Sequence, residues 1–475
     1  MTSIDDRRRW LALYILCTGV LMIVLDTTIV NVALPSIRAD LGFTETSLVW
    51  VVNAYMLTFG GFLLLGGRLG DLYGHRRLFL GGLVLFTISS LACGLSTAQA
   101  PLIVARAAQG VGGAIVTAVA LSLIMDLFVE ETDRAKAMAI YGFVCSGGGA
   151  LGALLGGVLT SAINWHAIFL VNIPIGIAVY VACLRMIPAD RLAAGKTRLD
   201  LAGAVAITTS LMLAVYAVVN GNEAGWTSIR TLSLLGTALV IFIAFLIVEA
   251  RVSHPLMPLA LFRLRNIVVA NMVGTLWAAG MFAWFFISAL YLQLVLGYDP
   301  LQVGIAFVPS DLVMAAFSVS WSAKIVNRFG LRGPAAIGLL IAGAGLALFA
   351  RAPIDGNYWI DVLPGMILLG IGAGVAFNPV LLAAMSDVDQ SDSGLASGIV
   401  NSSFMMGGSL GLAVLAAIAA ARTGSALDAQ ALADGYHLAF VAGAVFVVVA
   451  AALCWLIRQR APAVAGTSEV STAPA

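Results

Sequence analysis

The sequence predicts an all-α membrane protein of fourteen transmembrane helices, arranged as two six-helix halves with two linker helices inserted between them. Three observations lead there: a composition too apolar for water, fourteen apolar runs of spanning length, and a second half that repeats the first at a nearly constant offset. Of the 475 residues, 61% are hydrophobic and 10% are charged, far from the balance of a soluble domain. With a mean hydropathy of +1.02, the chain carries more apolar surface than the interior of a soluble fold of this length can hide.

A hydrocarbon layer about 30 Å thick needs about 20 apolar residues in helical form. Runs of that kind fall near residues 11–34, 46–66, 78–96, 101–127, 135–158, 166–186 and 199–219. Seven more fall near 233–250, 268–294, 301–326, 333–351, 362–382, 394–420 and 436–458. The N-terminal MTSIDDRRRW and the run after it resemble a signal peptide at first sight. The run extends past signal length and contains Asp26 and Asn31, so it reads as the first membrane helix.

Basic residues test the count, because short cytoplasmic loops hold the excess of Lys and Arg. With the N-terminus placed in the cytoplasm, Arg38, Arg230, Arg351 and Arg422 fall outside and Arg106 falls within a helix. The rest of the 25 Lys and Arg residues fall inside. A missed helix would invert this bias downstream, so both termini are expected in the cytoplasm.

The repeat sets the organisation. LGF at 41–43 answers LGY at 296–298, Arg68 to Arg76 answers Lys324 to Arg332 with Gly74 over Gly330, and GVGGA at 110–114 answers GIGAG at 370–374. An offset of about eight helices gives an N-terminal half over 1–190, linker helices over 191–255, a C-terminal half over 256–460 and a disordered tail over 461–475.

Several function classes drop out. A net charge of +1, with no basic stripe, excludes nucleic acid as a partner. The five cysteines lie in apolar runs without a Cys-x-x-Cys pair, and the four histidines are dispersed at helix ends, so neither a metal site nor a catalytic cluster is expected. No Gly-x-x-x-x-Gly-Lys loop is present for ATP, and no cofactor is expected. The expected partners are a small-molecule substrate, protons and the lipid bilayer, with the chain working as a monomer.

GRLGDLYGHRR at 67–77 resembles the cytoplasmic signature of the major facilitator superfamily. LDTTIVNVALP at 25–35, RAAQGVGGA at 106–114 and GGGALGALLGG at 147–157 are similar to segments of its drug:proton antiporters. NWHAIFLVNIPIG at 164–176, HPLMPLALFRLR at 254–265 and YLQLVLGYDPLQVG at 291–304 are similar to the fourteen-helix branch. The resemblance implies the major facilitator fold and proton-coupled efflux of drugs or other amphipathic, often cationic, compounds across the cytoplasmic membrane by alternating access. The alternative is a proton-coupled importer or exporter of one metabolite or natural product. No enzymatic activity is implied. Two positions depart from the pattern: His75 stands where the signature usually has Arg, and Ala153 where the glycine motif usually has Pro.

Among single residues, Asp26 and Arg106 are the leading proton-coupling candidates. At 1.5 Å per residue they lie ~22 Å from the inner boundary and ~21 Å on the same scale respectively, and so share a depth. Intramembrane charges are costly enough to require a cavity or a partner. Burial favours the neutral acid and a nearby cation favours the carboxylate, so the two together suit a group that loads and releases a proton. A fixed structural ion pair is the competing reading. In the second half the repeat places Met281 and Met366 at these positions, so the scaffold does not demand the charges. The substrate-binding candidates are Asp311, the other intramembrane acid, with Trp50, Asn53, Tyr55, Trp277, Trp284, Gln293, Asn378 and Asn401, whose rings and amides suit flat amphipathic cations. In the cytoplasmic loop, Gly70 and Gly74 permit a tight turn, and the resemblance implies that this loop, with Gly67, Asp71, Arg76, Arg77 and Asp126, gates the two halves. Gly148, Gly152 and Gly156 share a helix face, and with Gly157 form the antiporter glycine motif. Close packing explains that face, and a role against proton leak comes from the resemblance alone.

Overall fold

The computed structural model describes residues 6–128, 130–187, 201–252, 255, 257–388, 393–424 and 428–458. The predicted tail over 461–475 lies outside them, as does His254. Among the described residues every regular element is helical, as lipid requires of a chain that cannot close a barrel. The helices are α1 (Asp6–Leu41), α2 (Glu45–Tyr73), α3 (His75–Gly94), α4 (Gln99–Leu127), α5 (Glu131–Ala162), α6 (Asn172–Met186) and α7 (Leu201–Ala224). They continue with α8 (Ile229–Arg251), α9 (Arg265–Leu290), α10 (Pro300–Ala316), α11 (Arg332–Phe349), α12 (Leu363–Met385), α13 (Ser393–Thr423) and α14 (Ala429–Leu453).

Among the described residues thirteen spans are long and apolar enough to cross a membrane, the sixth of them running from Ala167 to Met186 to include the turn before α6, and α10 is the shorter exception. It does not stop at Ala316: a π-turn over Phe317–Trp321 carries it into a further helix over Ser322–Phe329. Pro309 inside α10 and the π-turn below it are both recognised causes of helix bending. The protein is a multi-pass membrane protein.

The internal repeat is visible in the backbone. Gly42 and Gly297 adopt φ of 67° and 71°, and Gly74 and Gly330 adopt 97° and 75°, left-handed conformations that glycine reaches without steric cost. Just beyond the first pair, α2 opens with a capping box on Thr44 and Ser47, and α10 opens with one on Asp299 and Gln302. The same chemistry thus terminates and restarts the helices at corresponding points of both halves.

Among the first six helices, α1 packs against α5 and α4 packs between α2 and α3. In the last six, α9 packs on α13, and α11 on α12 and α14. Two seams join these groups, α2 with α13 and α5 with α10. Helix α7 lies across the first seam and touches both α2 and α13, while α8 packs chiefly on α7. Of the spans, α2 is the most enclosed and α8 the least.

Small residues set the seams. A methyl group added at Gly60 would meet Met405 and Met406 of α13 at 3.1 Å. One added at Gly157 would meet the Pro300 carbonyl of α10 at 2.6 Å. At the ends predicted to face outward, Gln293 donates to the Val32 carbonyl at 2.8 Å and the Leu301 amide donates to Ser161 Oγ at 3.1 Å.

Candidate functional site

Asp26 and Arg106 meet in the interior of the first six helices. The guanidinium lies 2.5 Å from Asp26 Oδ2, and the side chains are 0% and 1% exposed. Around this pair stands a shell of neutral groups. Arg106 also donates from Nε to the Val51 carbonyl at 2.9 Å and from a terminal nitrogen to Gln109 Oε1 at 2.7 Å. Its plane lies over the Tyr55 ring, 4.4 Å from the centroid. Asp26 Oδ1 accepts from Gln109 Nε2 at 2.8 Å and from Asn172 Nδ2 at 3.1 Å. Both amides also donate to Ser90 Oγ, at 3.2 and 3.0 Å, and Ser90 donates to the Phe169 carbonyl at 2.9 Å.

The chain builds this cluster from local rules. Arg106 and Gln109 are three residues apart on α4 and so share a face. A single helical turn over Ala167–Leu170 breaks before α6 restarts at Asn172, leaving the Phe169 carbonyl for Ser90. Pro174 follows two residues into α6, where a missing N–H costs nothing. A buried ion pair persists only when its remaining hydrogen-bonding capacity is met, and here the shell engages Nε and one terminal nitrogen of Arg106 and Oδ1 of Asp26.

Helix α1 reaches this position because α5 offers it a glycine face. A methyl group at Gly148 would press on Val24 at 2.7 Å, one at Gly152 would overlap Thr28 Oγ1, and one at Gly156 would meet the Ile29 carbonyl at 2.6 Å. Asp26 lies between these contacts. Gly157 faces the other way, onto α10. Ala153 is buried, and its carbonyl lies where a methyl group at Gly304 would come within 2.6 Å.

The substrate-binding candidates do not converge. Asp311 and Trp284 line a cavity of about 20 Å³ with Trp277, Met281, Ser310 and Met314, room for a water molecule or two rather than an organic substrate. Asp311 Oδ2 and Trp284 Nε1 have no hydrogen-bond partner among the described residues. The others lie elsewhere. Tyr55 belongs to the Arg106 cluster, Trp50 packs on Tyr216 of α7 with ring centroids 6.3 Å apart, and Gln293 ties α9 to α1. Asn378 donates to the Ser318 carbonyl at 3.0 Å, and Asn401 to Ser397 of its own helix at 3.0 Å. Asn53 is buried, with neither amide atom partnered among the described residues. In this conformation the Asp26 cluster is buried within the first six helices, apart from the cavity that Asp311 lines.

At the α2–α3 loop, Asp126 pairs with His75, whose Nδ1 lies 2.9 Å from Asp126 Oδ2. The side chain of Asp71 is outside the described atoms. Gly70 allows this pairing, since a methyl group there would meet the His75 ring at 2.7 Å. A methyl group at Gly67 would meet only Ala118 among the described residues, at 4.0 Å. Arg76 donates to the Leu184 carbonyl at 2.8 Å. Arg77 opens α3 beside it. Arg68 reaches across to the Pro255 carbonyl at 2.5 Å. Sequence reasoning missed Arg68, Ser90, Gln109 and Asn172. Gln109 and Asn172 lie inside the segments that carried the family resemblance, three residues after Arg106 and just before Ile173-Pro174.

Residues 16–412 match the model of the Major Facilitator Superfamily. The chain belongs to that superfamily. Among its relatives, a cephamycin export protein, CmcT of Amycolatopsis lactamdurans, is 39% identical over 467 residues, 97% of this chain and 96% of the relative. A puromycin resistance protein, pur8 of Streptomyces alboniger, is 36% identical over 482 residues, 99% and 95% of the two chains. The superfamily fold extends to solved structures of distant sequence. A D-xylose-proton symporter superposes with a TM-score of 0.67 at 13% identity, covering 95% of this chain and 98% of the other, and the nucleoside transporter NupG with 0.68 at 14%, covering 94% and 100%. Superfamily members of this kind carry small molecules across membranes rather than transform them.

Proposed function

We propose that this protein exports amphipathic organic compounds, antibiotics and cationic drugs among them, across the cytoplasmic membrane in exchange for protons. The observation that carries the reading is the buried Asp26–Arg106 pair at membrane depth. It is joined by the export and resistance names of two relatives aligned over nearly their whole length. Asp26 is the coupling acid: protonated from outside, it releases Arg106, and deprotonated toward the inside, it recaptures it. The halves over 1–190 and 256–460 rock against each other, with 191–255 as linkers, both termini cytoplasmic and one chain sufficient. Gln293 and Ser161 hold the outer ends together, and the loop of Gly67, Gly70, Asp71, Gly74, Arg76, Arg77 and Asp126 gates the inner side.

Asp311, with Trp284 beside it, is the cation-attracting element of the substrate path once the surrounding helices part. The driving force is sufficient: one pH unit is worth about 1.4 kcal/mol, and a charge moved through 100 mV about 2.3 kcal/mol. Each 1.4 kcal/mol sustains a roughly tenfold concentration ratio. Everted vesicles containing the protein test the reading with a fluorescent cationic dye. Energised vesicles should accumulate dye, and a protonophore should abolish accumulation. Dye leaving the vesicle lumen instead would indicate import.

A further inference from the structure

Ser90 touches neither Asp26 nor Arg106 in any hydrogen bond the structure contains, yet its hydroxyl orients both amides that do. The Gln109 NH₂ group spends one proton on Asp26 Oδ1 and the other on Ser90 Oγ, and the Asn172 NH₂ group does the same. Ser90 can accept twice because its own proton is committed to the Phe169 carbonyl. An amide turned by half a rotation would present a carbonyl oxygen to Asp26, and a carbonyl is a partner for the protonated acid only. As built, Ser90 holds the Asn172 amide, and with the Arg106 proton accepted by Gln109 Oε1 also the Gln109 amide, so that both present N–H groups to Asp26. Ser90, Gln109 and Asn172 are all buried, so water cannot substitute for the missing hydroxyl at low cost.

Resting on the proposal that Asp26 is the coupling acid, we infer that Ser90 is a positioning residue that sets the pH at which Asp26 exchanges its proton, acting through Gln109 and Asn172. The titratable and charged groups facing Asp26 among the described residues are Arg106 from α4, Tyr55 from α2 and Cys93 from α3. The α6 contribution, from Asn172, is neutral. Hydrogen bonds to the charged form hold a carboxyl group ionised, so their loss moves proton release to higher pH. One charge-assisted bond corresponds to about one pH unit.

The test is the pH profile of substrate-proton exchange in proteoliposomes, measured for the wild type, Ser90→Ala and Asn172→Leu at matched amounts of folded protein. Each is also measured in the Asp26→Asn background. Midpoints moved up by about one pH unit in both variants, with no pH-dependent exchange left to move in the Asp26→Asn background, are the expected result. Unmoved midpoints in folded Ser90→Ala and Asn172→Leu overturn the inference while leaving Asp26 as coupling acid. A wild-type profile in Asp26→Asn alone overturns the coupling reading and this inference with it.

Discussion

Gly152 of α5 lies directly against Thr28 of α1, so close that a methyl group on the glycine would overlap the threonine hydroxyl oxygen and lie 2.9 Å from the Leu25 carbonyl. The carbonyl is backbone and cannot rotate away, so relief requires α1 to move, and α1 carries Asp26. Gly147 and Gly149, on other faces of the same helix, have nothing within 4 Å of an added methyl group.

Gly152→Ala is therefore expected to destabilise the protein by about 1–3 kcal/mol, the usual cost of overpacking, and to lower coupled transport. Gly147→Ala and Gly149→Ala should be neutral or slightly stabilising, through a less flexible unfolded chain. Thermal unfolding in detergent, compared across the three variants, checks this. Equal losses in all three would mean that the α1 contact does not set Gly152 apart, since helix propensity alone favours Ala at each position.

Gln293 ties α9 to the Val32 carbonyl of α1 at the predicted outer ends of the two halves. A neutral hydrogen bond of this kind is worth about 1 kcal/mol. Gln293→Leu should shift the balance toward the outward-open arrangement by roughly fivefold. Cysteine pairs placed across the outer seam, read by crosslinking yield, should report the shift, and an unchanged yield would count against this bond as a gate.

His75 pairs with Asp126, whose side chain is 64% exposed. An imidazole is a cation only when protonated, whereas a guanidinium is always charged. His75→Arg should keep the pair at every pH and flatten any dependence of transport on cytoplasmic pH. The effect is expected to stay within about fivefold, because exposed pairs contribute at most about 1 kcal/mol. Transport rates measured with internal pH varied and external pH fixed supply the check.

Asp311→Asn should reduce export of cationic substrates while sparing neutral ones, since the change removes charge at nearly constant shape. Competition assays with matched cationic and neutral dyes decide it. An equal loss for both classes would make Asp311 a structural residue.

Much of the architecture was legible because lipid forces it into the sequence: apolar runs, basic loops and turn glycines each answer a physical demand that leaves residues behind. The depth of Asp26 and Arg106 followed from counting along two helices, because rise per residue is fixed. Rotation about the helix axis was not legible. Helices apolar on all sides carry no stripe to tell the interior from lipid or linker, so Trp50, Asn378 and Asn401 gave no sign of facing α7, α10 and their own helix. Ser90 and Asn172 escaped for a related reason: a neutral polar residue in an apolar run is common, and only the crossing of α3, α6 and α1 gives these two a partner. The His75–Asp126 contact depends on how the chain turns at Gly74 between α2 and α3, which motif spacing does not specify.

The most direct measurement is an acid jump applied to the outside of proteoliposomes holding wild-type or Asp26→Asn protein, with substrate movement followed in real time. The expected result is substrate moving opposite to the protons in the wild type, and movement indifferent to the jump in Asp26→Asn. Identical acid-driven movement in the two proteins would contradict the assignment of Asp26 as the group that couples proton entry to export.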